Sequence, residues 1–190
     1  MSAAPPPRTR RLFFALWPQA SAQEDLARAV AGELADAAGR ALPAHNLHST
    51  LAFLGSVPEE RVGELTSLAR EIAAAWPGGA PCLRFRLLEH WARVSILVVT
   101  GEDEGERAHA LARVLKDACV QRGFAPDLKP FRAHVTVARK VARAPATRAL
   151  PELVWRFTSF ALIESDTHPS GSLYSVRERF LLDKTQKVPA

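Results

Sequence analysis

An α+β fold built from two related strand–helix–strand units is what this 190-residue sequence predicts. Three observations predict it. Apolar residues repeat with two periods, every second residue in short runs and every third or fourth in longer ones. The order strand–helix–strand at residues 12–54 returns at residues 96–139, offset by 83 to 86 positions with almost no identity between the copies. No linker-like stretch separates them, so the halves share one core. A unit that cannot close its own core packs against its copy about a pseudo-two-fold axis, and equivalent strands then face each other across a cleft.

The elements follow in order. Residues 11–17 (RLFFALW) form an apolar run expected to be a buried strand, punctuated by Pro18 and Ser21. Leu26, Val30 and Leu34 give residues 23–38 one apolar helical face, and Gly39 supplies the stop. Residues 47–54 (LHSTLAFL) alternate as a strand, with His48 and Thr50 on one face. Ser56-Val57-Pro58-Glu59 has the pattern of a capping box, and Val62, Leu65, Leu68, Ala69 and Ile72 continue it as a helix ending at Trp76-Pro77-Gly78-Gly79. Two strands are expected at 82–88 and 91–100. An acidic loop at 101–106 then leads into a helix at 106–120, whose acidic first turn suits the helix dipole and which Gly123 terminates. A strand at 132–139, a basic Pro-containing loop at 140–151 and strands at 154–164 and 172–182 complete the chain.

Composition excludes several classes. With 47% hydrophobic and 24% charged residues, the chain is neither disordered as a whole nor collagen-like, and its two cysteines cannot make a disulfide scaffold. Cys82 and Cys119 lack CxxC spacing and neighbouring metal-ligand patterns, so a reduced cytoplasmic compartment is the expectation. No apolar run approaches the roughly 18 residues of a membrane span. Residues 1–7 are Ala/Pro-rich without the apolar stretch of a secretory signal. The net charge of +5 is a weak hint of an anionic partner and decides nothing alone.

What survives at equivalent positions of the two units is His-x-Thr: His48-Ser49-Thr50 and His134-Val135-Thr136. Residues two apart in a strand share a face, about 6.6 Å apart, so each strand offers an imidazole beside a hydroxyl. Six His and nine Thr in a chain of this length give about 0.3 chance occurrences of the spacing. One such pair reads most simply as a His and a Thr satisfying each other at a polar sheet face. Two at matching places in a repeat point to chemistry. One imidazole takes a proton while the other gives one, and two hydroxyls hold a tetrahedral anionic centre between them. In-line attack on a phosphodiester suits that arrangement.

Phe13-Phe14-Ala15-Leu16-Trp17-Pro18, Asn46-Leu47-His48-Ser49-Thr50-Leu51-Ala52-Phe53-Leu54-Gly55 and Pro130-Phe131-Arg132-Ala133-His134-Val135-Thr136-Val137-Ala138-Arg139 resemble the RNA 2′,3′-cyclic phosphodiesterase family. This is also the 2′-5′ RNA ligase family, within the two-histidine phosphoesterases. The resemblance runs over residues 11–182, with looser support from Ile163-Glu164-Ser165 through Tyr174. It implies a bilobal α+β fold with two pseudo-two-fold-related antiparallel sheets lining a central groove and helices outside. The expected organisation is a disordered tail at 1–10, one bilobal domain at 11–183 and a C-terminal tail at 184–190.

The resemblance further implies metal-independent hydrolysis of RNA 2′,3′-cyclic phosphates to 2′-phosphomonoesters, with reversible 2′-5′ ligation as a second activity. No cofactor or membrane is involved, and a monomer is expected. Its partner is RNA with a cyclic phosphate end, or a cyclic nucleotide. Carried onto this sequence, His48 and His134 are the catalytic pair, and Thr50 and Thr136 hold the phosphate. The expected direction has His134 activating water and His48 protonating the departing 3′ oxygen; the sequence also permits the reverse.

Four more residues complete the candidate substrate-binding set. Arg139 lies three residues beyond Thr136, opposite in a regular strand, yet a bend at the strand's end would bring it to the phosphate. Arg132 shares the face of His134 and Thr136 by alternation, as a second phosphate or backbone contact. Phe53 falls on the face opposite His48, where core packing competes with base stacking, and Tyr174 divides between stacking on a base and half-buried strand packing. Lys129, Arg132, Arg139, Lys140 and Arg143 are candidates for a track along an RNA backbone. His45 reads as a loop residue near the groove and His168 as a turn residue able to approach substrate. His90 and His109 carry no signal, and the acidic run 102–106 lacks calcium-loop spacing. Competing readings are a non-catalytic RNA-end or nucleotide-binding protein, a metallohydrolase lacking HExxH and a third ligand, and a serine hydrolase lacking GxSxG.

Overall fold

The computed structural model describes residues 8–143, 145–168 and 171–182. Strand β1 (Thr9–Leu16) buries both of its faces. Leu12, Phe14 and Leu16 enter the main core, while Phe13 and Ala15 join a smaller apolar cluster with Ala161 and Ile163. A strand covered on both sides reads as a continuous apolar run, which is what the sequence offers here. Helix α1 (Ala20–Asp36) buries Leu26 and Val30, and a two-residue strand β2 (Arg40–Ala41) follows. Next come β3 (Ser49–Pro58), α2 (Val62–Ala75), β4 (Cys82–Trp91), β5 (Ile96–Asp103) and α3 (Arg107–Gln121). The chain closes with β6 (His134–Arg139), β7 (Arg148–Arg156), β8 (Ser159–His168) and β9 (Gly171–Leu181).

Two antiparallel sheets result, ordered β3-β1-β8-β9 and β2-β6-β5-β4-β7. The duplication is visible in them: β1-α1-β3 and β5-α3-β6 place equivalent strands at equivalent positions, flanked by β8-β9 and β4-β7. The helices interlock the halves, because α1 packs on β6 and β7 while α3 packs on β3 as well as on β4 and β5. One continuous core therefore unites both sheets and all three helices. Among the described residues no helix is long and apolar enough to cross a membrane. Cys82 and Cys119 are buried free thiols, and burial pushes Cys119 up to about 12.

Several expectations are corrected. Strand β1 begins at Thr9, paired with Pro58, so residues 9 and 10 of the supposed tail are ordered strand. Residues 1–7 and 183–190 lie outside the described residues. The Ser56–Glu59 capping box does not form: Ser56 to Pro58 extend β3 against β1, and a 3-10 turn at Glu59–Arg61 intervenes before α2. Trp91 ends β4 rather than opening β5, since the chain turns through Ser95 with a positive φ of 51°. Strand β5 runs on to Asp103, and α3 has no acid in its first turn. Instead the Asp103 carboxylate accepts the amides of Ala108 and His109, at 3.2 and 2.7 Å, and so caps the helix. The single strand expected at 154–164 is two, β7 and β8, and β7 takes up the end of the supposed basic loop. His168 ends β8 rather than forming the turn.

Gly101 ties this framework to the site. A β-bulge at Arg86 lets β4 cross so close that a Cβ on Gly101 would stand 1.8 Å from the Arg84 carbonyl oxygen, and the Gly101 amide donates to the Ala133 carbonyl at 3.2 Å. Gly101→Ala is therefore expected to cost about 2 kcal/mol or more and to lower Tm by several degrees in thermal unfolding.

Candidate active site

His48 stands immediately before β3, and His134 opens β6 as its first paired residue, opposite Thr100. Both rings are anchored identically. His48 Nδ1 lies 2.7 Å from the Asn46 carbonyl, and His134 Nδ1 lies 2.7 Å from the Arg132 carbonyl. A carbonyl oxygen only accepts, so Nδ1 carries the proton in both rings and Nε2 is left bare for the groove when the ring is neutral.

Thr50 and Thr136 follow two residues on, both half-buried, and Thr50 lines the groove. In each strand the next residue is an extra one. Leu51 bulges between the pairs Phe14–Ala52 and Ala15–Thr50, and Val137 bulges between Leu97–Ala138 and Val98–Thr136. Each bulge buries two successive residues and reverses the alternation beyond it. Phe53 and Arg139, expected on the far face of regular strands, thus come round to the face of the threonines and occupy equivalent positions. Phe53 is half-buried and lines the groove, with the Arg11 guanidinium 4.7 Å over its ring. Phe53 thus packs against the Phe13, Ala15 and Ile163 cluster and lines the groove as well, and the Val137 bulge puts a bend ahead of Arg139.

Two cavities meet at Thr50 and Phe53. One, of about 100 Å³, holds His48 with Arg11, Phe13, Arg139 and Tyr174. The other, of about 410 Å³, holds His134 with Trp91, Phe131, Arg132, Lys116 and Asp127. Thr136 lines neither. His48 is boxed by aromatic rings: Trp17 stacks at 5.1 Å and 10°, Phe13 at 4.9 Å, and Tyr174 meets it edge-on at 5.2 Å. Tyr174 is thus half-buried packing for the imidazole as well as a wall of the groove. Trp91 lies 4.8 Å from His134, and Arg132 lies over the same indole at 4.9 Å while its guanidinium pairs with Glu89 at 2.8 Å. Arg132 therefore serves His134 through its carbonyl. Lys129 is paired with Asp127, and Lys116 donates to the Lys129 carbonyl at 2.6 Å. The basic cluster read from sequence is divided, with Lys129 and Arg132 at the His134 cavity and Arg139 at the His48 cavity. His45 borders a neighbouring cavity with Arg40 and Asn46. Among the described residues no three His, Cys, Asp or Glu side chains converge as a metal site.

Sequence reasoning missed Phe13, Trp17, Trp91 and Arg11 as parts of the site. A signal existed for the first two, because Phe13, Ala15 and Trp17 alternate with the core residues Phe14 and Leu16 along β1.

Residues 17–169 match the family model described as the 2′-5′ RNA ligase superfamily. The chain belongs to this superfamily. It is 32% identical over 187 residues to the RNA 2′,3′-cyclic phosphodiesterase of Thermus thermophilus, with 90% of each chain covered. Identity to the RNA 2′,3′-cyclic phosphodiesterase of Escherichia coli is 30% over 175 residues, covering 91% of this chain and 97% of that one. Among solved structures, E. coli LigT complexed with 3′-AMP is similar with a TM-score of 0.82 at 26% identity, covering 93% of this chain and 100% of LigT. The fold is thus that of the superfamily member.

Burial lowers His48 from 6.5 to about 4, against the Asn46 carbonyl bond; the charges of Arg139 and His134 lower it further. Burial also lowers His134, with the Arg132 charge adding to it. Both shifts favour the neutral ring at pH 7. A histidine whose folded value lies below its unfolded one binds its proton more weakly when folded, so its stability contribution is full above 6.5 and is lost as pH falls toward about 4. Chemical denaturation across that window should show stability falling with pH, and His48→Asn should flatten the fall.

Proposed function

We propose that this protein hydrolyses RNA 2′,3′-cyclic phosphate ends to 2′-phosphomonoesters, with His48 and His134 as the acid and base. The observation that carries this reading is the matched anchoring of the two imidazoles, each with Nδ1 on the carbonyl two residues earlier and a threonine two residues later. Membership of the superfamily, and relatives named for this reaction over most of their length, support it.

The chemistry runs in line. His134 Nε2 accepts a proton from water as the water oxygen bonds to phosphorus. The bond from phosphorus to the 3′ oxygen breaks on the opposite side, and His48 Nε2–H gives that oxygen its proton. The 2′ ester stays, and proton exchange with solvent restores both rings. Thr50 and Thr136 donate to the non-bridging oxygens, and Arg139 opposes their charge. His48 holds its proton weakly because of its burial and, in part, the charge of Arg139. A phosphodiester anion set between them offsets that charge and draws a proton onto His48 as it binds. A 5′-hydroxyl in place of water gives 2′-5′ ligation by the same steps. Both motifs come from one chain, which supports a monomer as the working unit, and two buried unpaired thiols support a reducing cytoplasmic setting.

Hydrolysis of adenosine 2′,3′-cyclic phosphate should persist in EDTA, and His48→Ala and His134→Ala should each lose about 10²–10⁴-fold in kcat with circular dichroism unchanged. Normal turnover by either variant sinks the pairing. A p-nitrophenyl phosphodiester, whose leaving group needs no proton, separates the two roles. On that substrate His48→Ala should recover most of its loss and His134→Ala should not, and the reverse result exchanges acid for base.

A further inference from the structure

Strand β2 leaves the first unit and pairs with β6 of the second sheet, directly beside the Val137 bulge. The register sets Arg40 opposite Arg139, and the Leu42 amide continues the pairing onto the Val137 carbonyl at 2.8 Å. Like charges directly across an antiparallel pair destabilise it. A carboxylate neighbour would relieve the conflict, yet among the described residues neither arginine makes an ion pair. Both arginines line a cavity of about 270 Å³ that also contains His45, Ser172 and Tyr174 and, among the described residues, no carboxylate. Arg139, Ser172 and Tyr174 line the His48 cavity as well, so the two spaces adjoin across these three residues. The His134 cavity, by contrast, contains Asp127.

We propose that the cavity between Arg40 and Arg139 is a subsite for the phosphate on the 5′ side of the terminal nucleoside. It makes the protein selective for ends that carry this phosphate over a bare nucleoside cyclic phosphate. The inference rests on the reaction proposed above, with His48 at the departing 3′ oxygen. In-line displacement puts the ribose on the leaving-group side of phosphorus, hence on the His48 side, and the 5′ carbon continues the chain away from the reacting centre. The space that adjoins His48 there is lined by two arginine forks, that of Arg40 and that of Arg139, the latter shared with the reacting phosphate. Such forks match phosphate oxygens in geometry and charge. An incoming phosphate also removes the repulsion between the paired arginines, so the site gives up nothing held in the free protein.

Arg40→Ala tests this, because the β2 pairing is carried by backbone and relief of the like-charge pair should leave Tm no lower. Three substrates are compared: adenosine 2′,3′-cyclic phosphate, its 5′-phosphorylated form, and a dinucleotide ending in the cyclic phosphate. For the wild type, kcat/KM should be about tenfold higher on the second and third than on the first. Arg40→Ala should erase that gain and leave the first substrate within about twofold. An equal loss on all three, or none on any, overturns the subsite. A gain with the dinucleotide alone assigns the cavity to the neighbouring nucleoside and overturns the phosphate. Binding of the 2′-phosphate products, with and without a 5′-phosphate, gives a readout free of turnover. The 5′-phosphate should steepen the wild-type dependence of log affinity on log salt by about 0.7, and Arg40→Ala should remove the increment. Absence of that increment in the wild type also overturns the subsite. A wild type that shows it but turns over none of the three substrates would instead sink the hydrolase reading and leave the subsite standing.

Discussion

One bond in each half governs the site: an imidazole Nδ1–H donated to the backbone carbonyl two residues earlier, 2.7 Å long in both. In a regular strand carbonyls lie in the plane of the sheet and side chains stand perpendicular to it, so a side chain does not reach its own strand's carbonyl at that spacing. The histidine must therefore sit where the chain enters the strand. His48 precedes β3 and His134 is the first residue of β6 for this reason. The bond fixes ring orientation and tautomer together, and the threonine, already within the ladder, is placed by the strand itself.

The surroundings of the two rings then differ in kind. His48 is enclosed by Phe13, Trp17 and Tyr174, three rings with no carboxylate in its cavity, and its proton affinity falls accordingly. His134 keeps one aromatic neighbour, Trp91, and a wider cavity that includes Asp127. The same anchoring thus serves two settings, and because His48 binds its proton weakly, its part as the donor depends on the charge of the bound phosphodiester.

The repeated His-x-Thr was legible because a pair on one strand face leaves a period of two in the sequence, and the duplication repeats it. Strict alternation set Phe53 and Arg139 on the opposite face, and only a bend could bring Arg139 back. One extra residue, Leu51 or Val137, inverts the positions that follow it up to Phe53 or Arg139, and neither residue carries a local mark of a bulge. The turn between β7 and β8 passes through Phe157 and Thr158 without glycine or proline, so two strands read as one. Ser56 and Glu59 have the spacing of a helix cap, but pairing of β3 with β1 claims Ser56 first. The Arg132–Glu89 pair spans 43 positions, and no local pattern announces such a partner.

The matching bulges leave the two halves alike up to the threonines and different just beyond, with Phe53 in one place and Arg139 in the other. A tetrahedral phosphate looks nearly the same from either side, whereas a ribose with its base is handed and has a direction. Kinship between the halves thus persists around the part of the ligand that has no direction and is abandoned where direction begins. A scaffold built from two like halves can in this way tell one end of its ligand from the other, because the residues beyond the threonines are no longer matched.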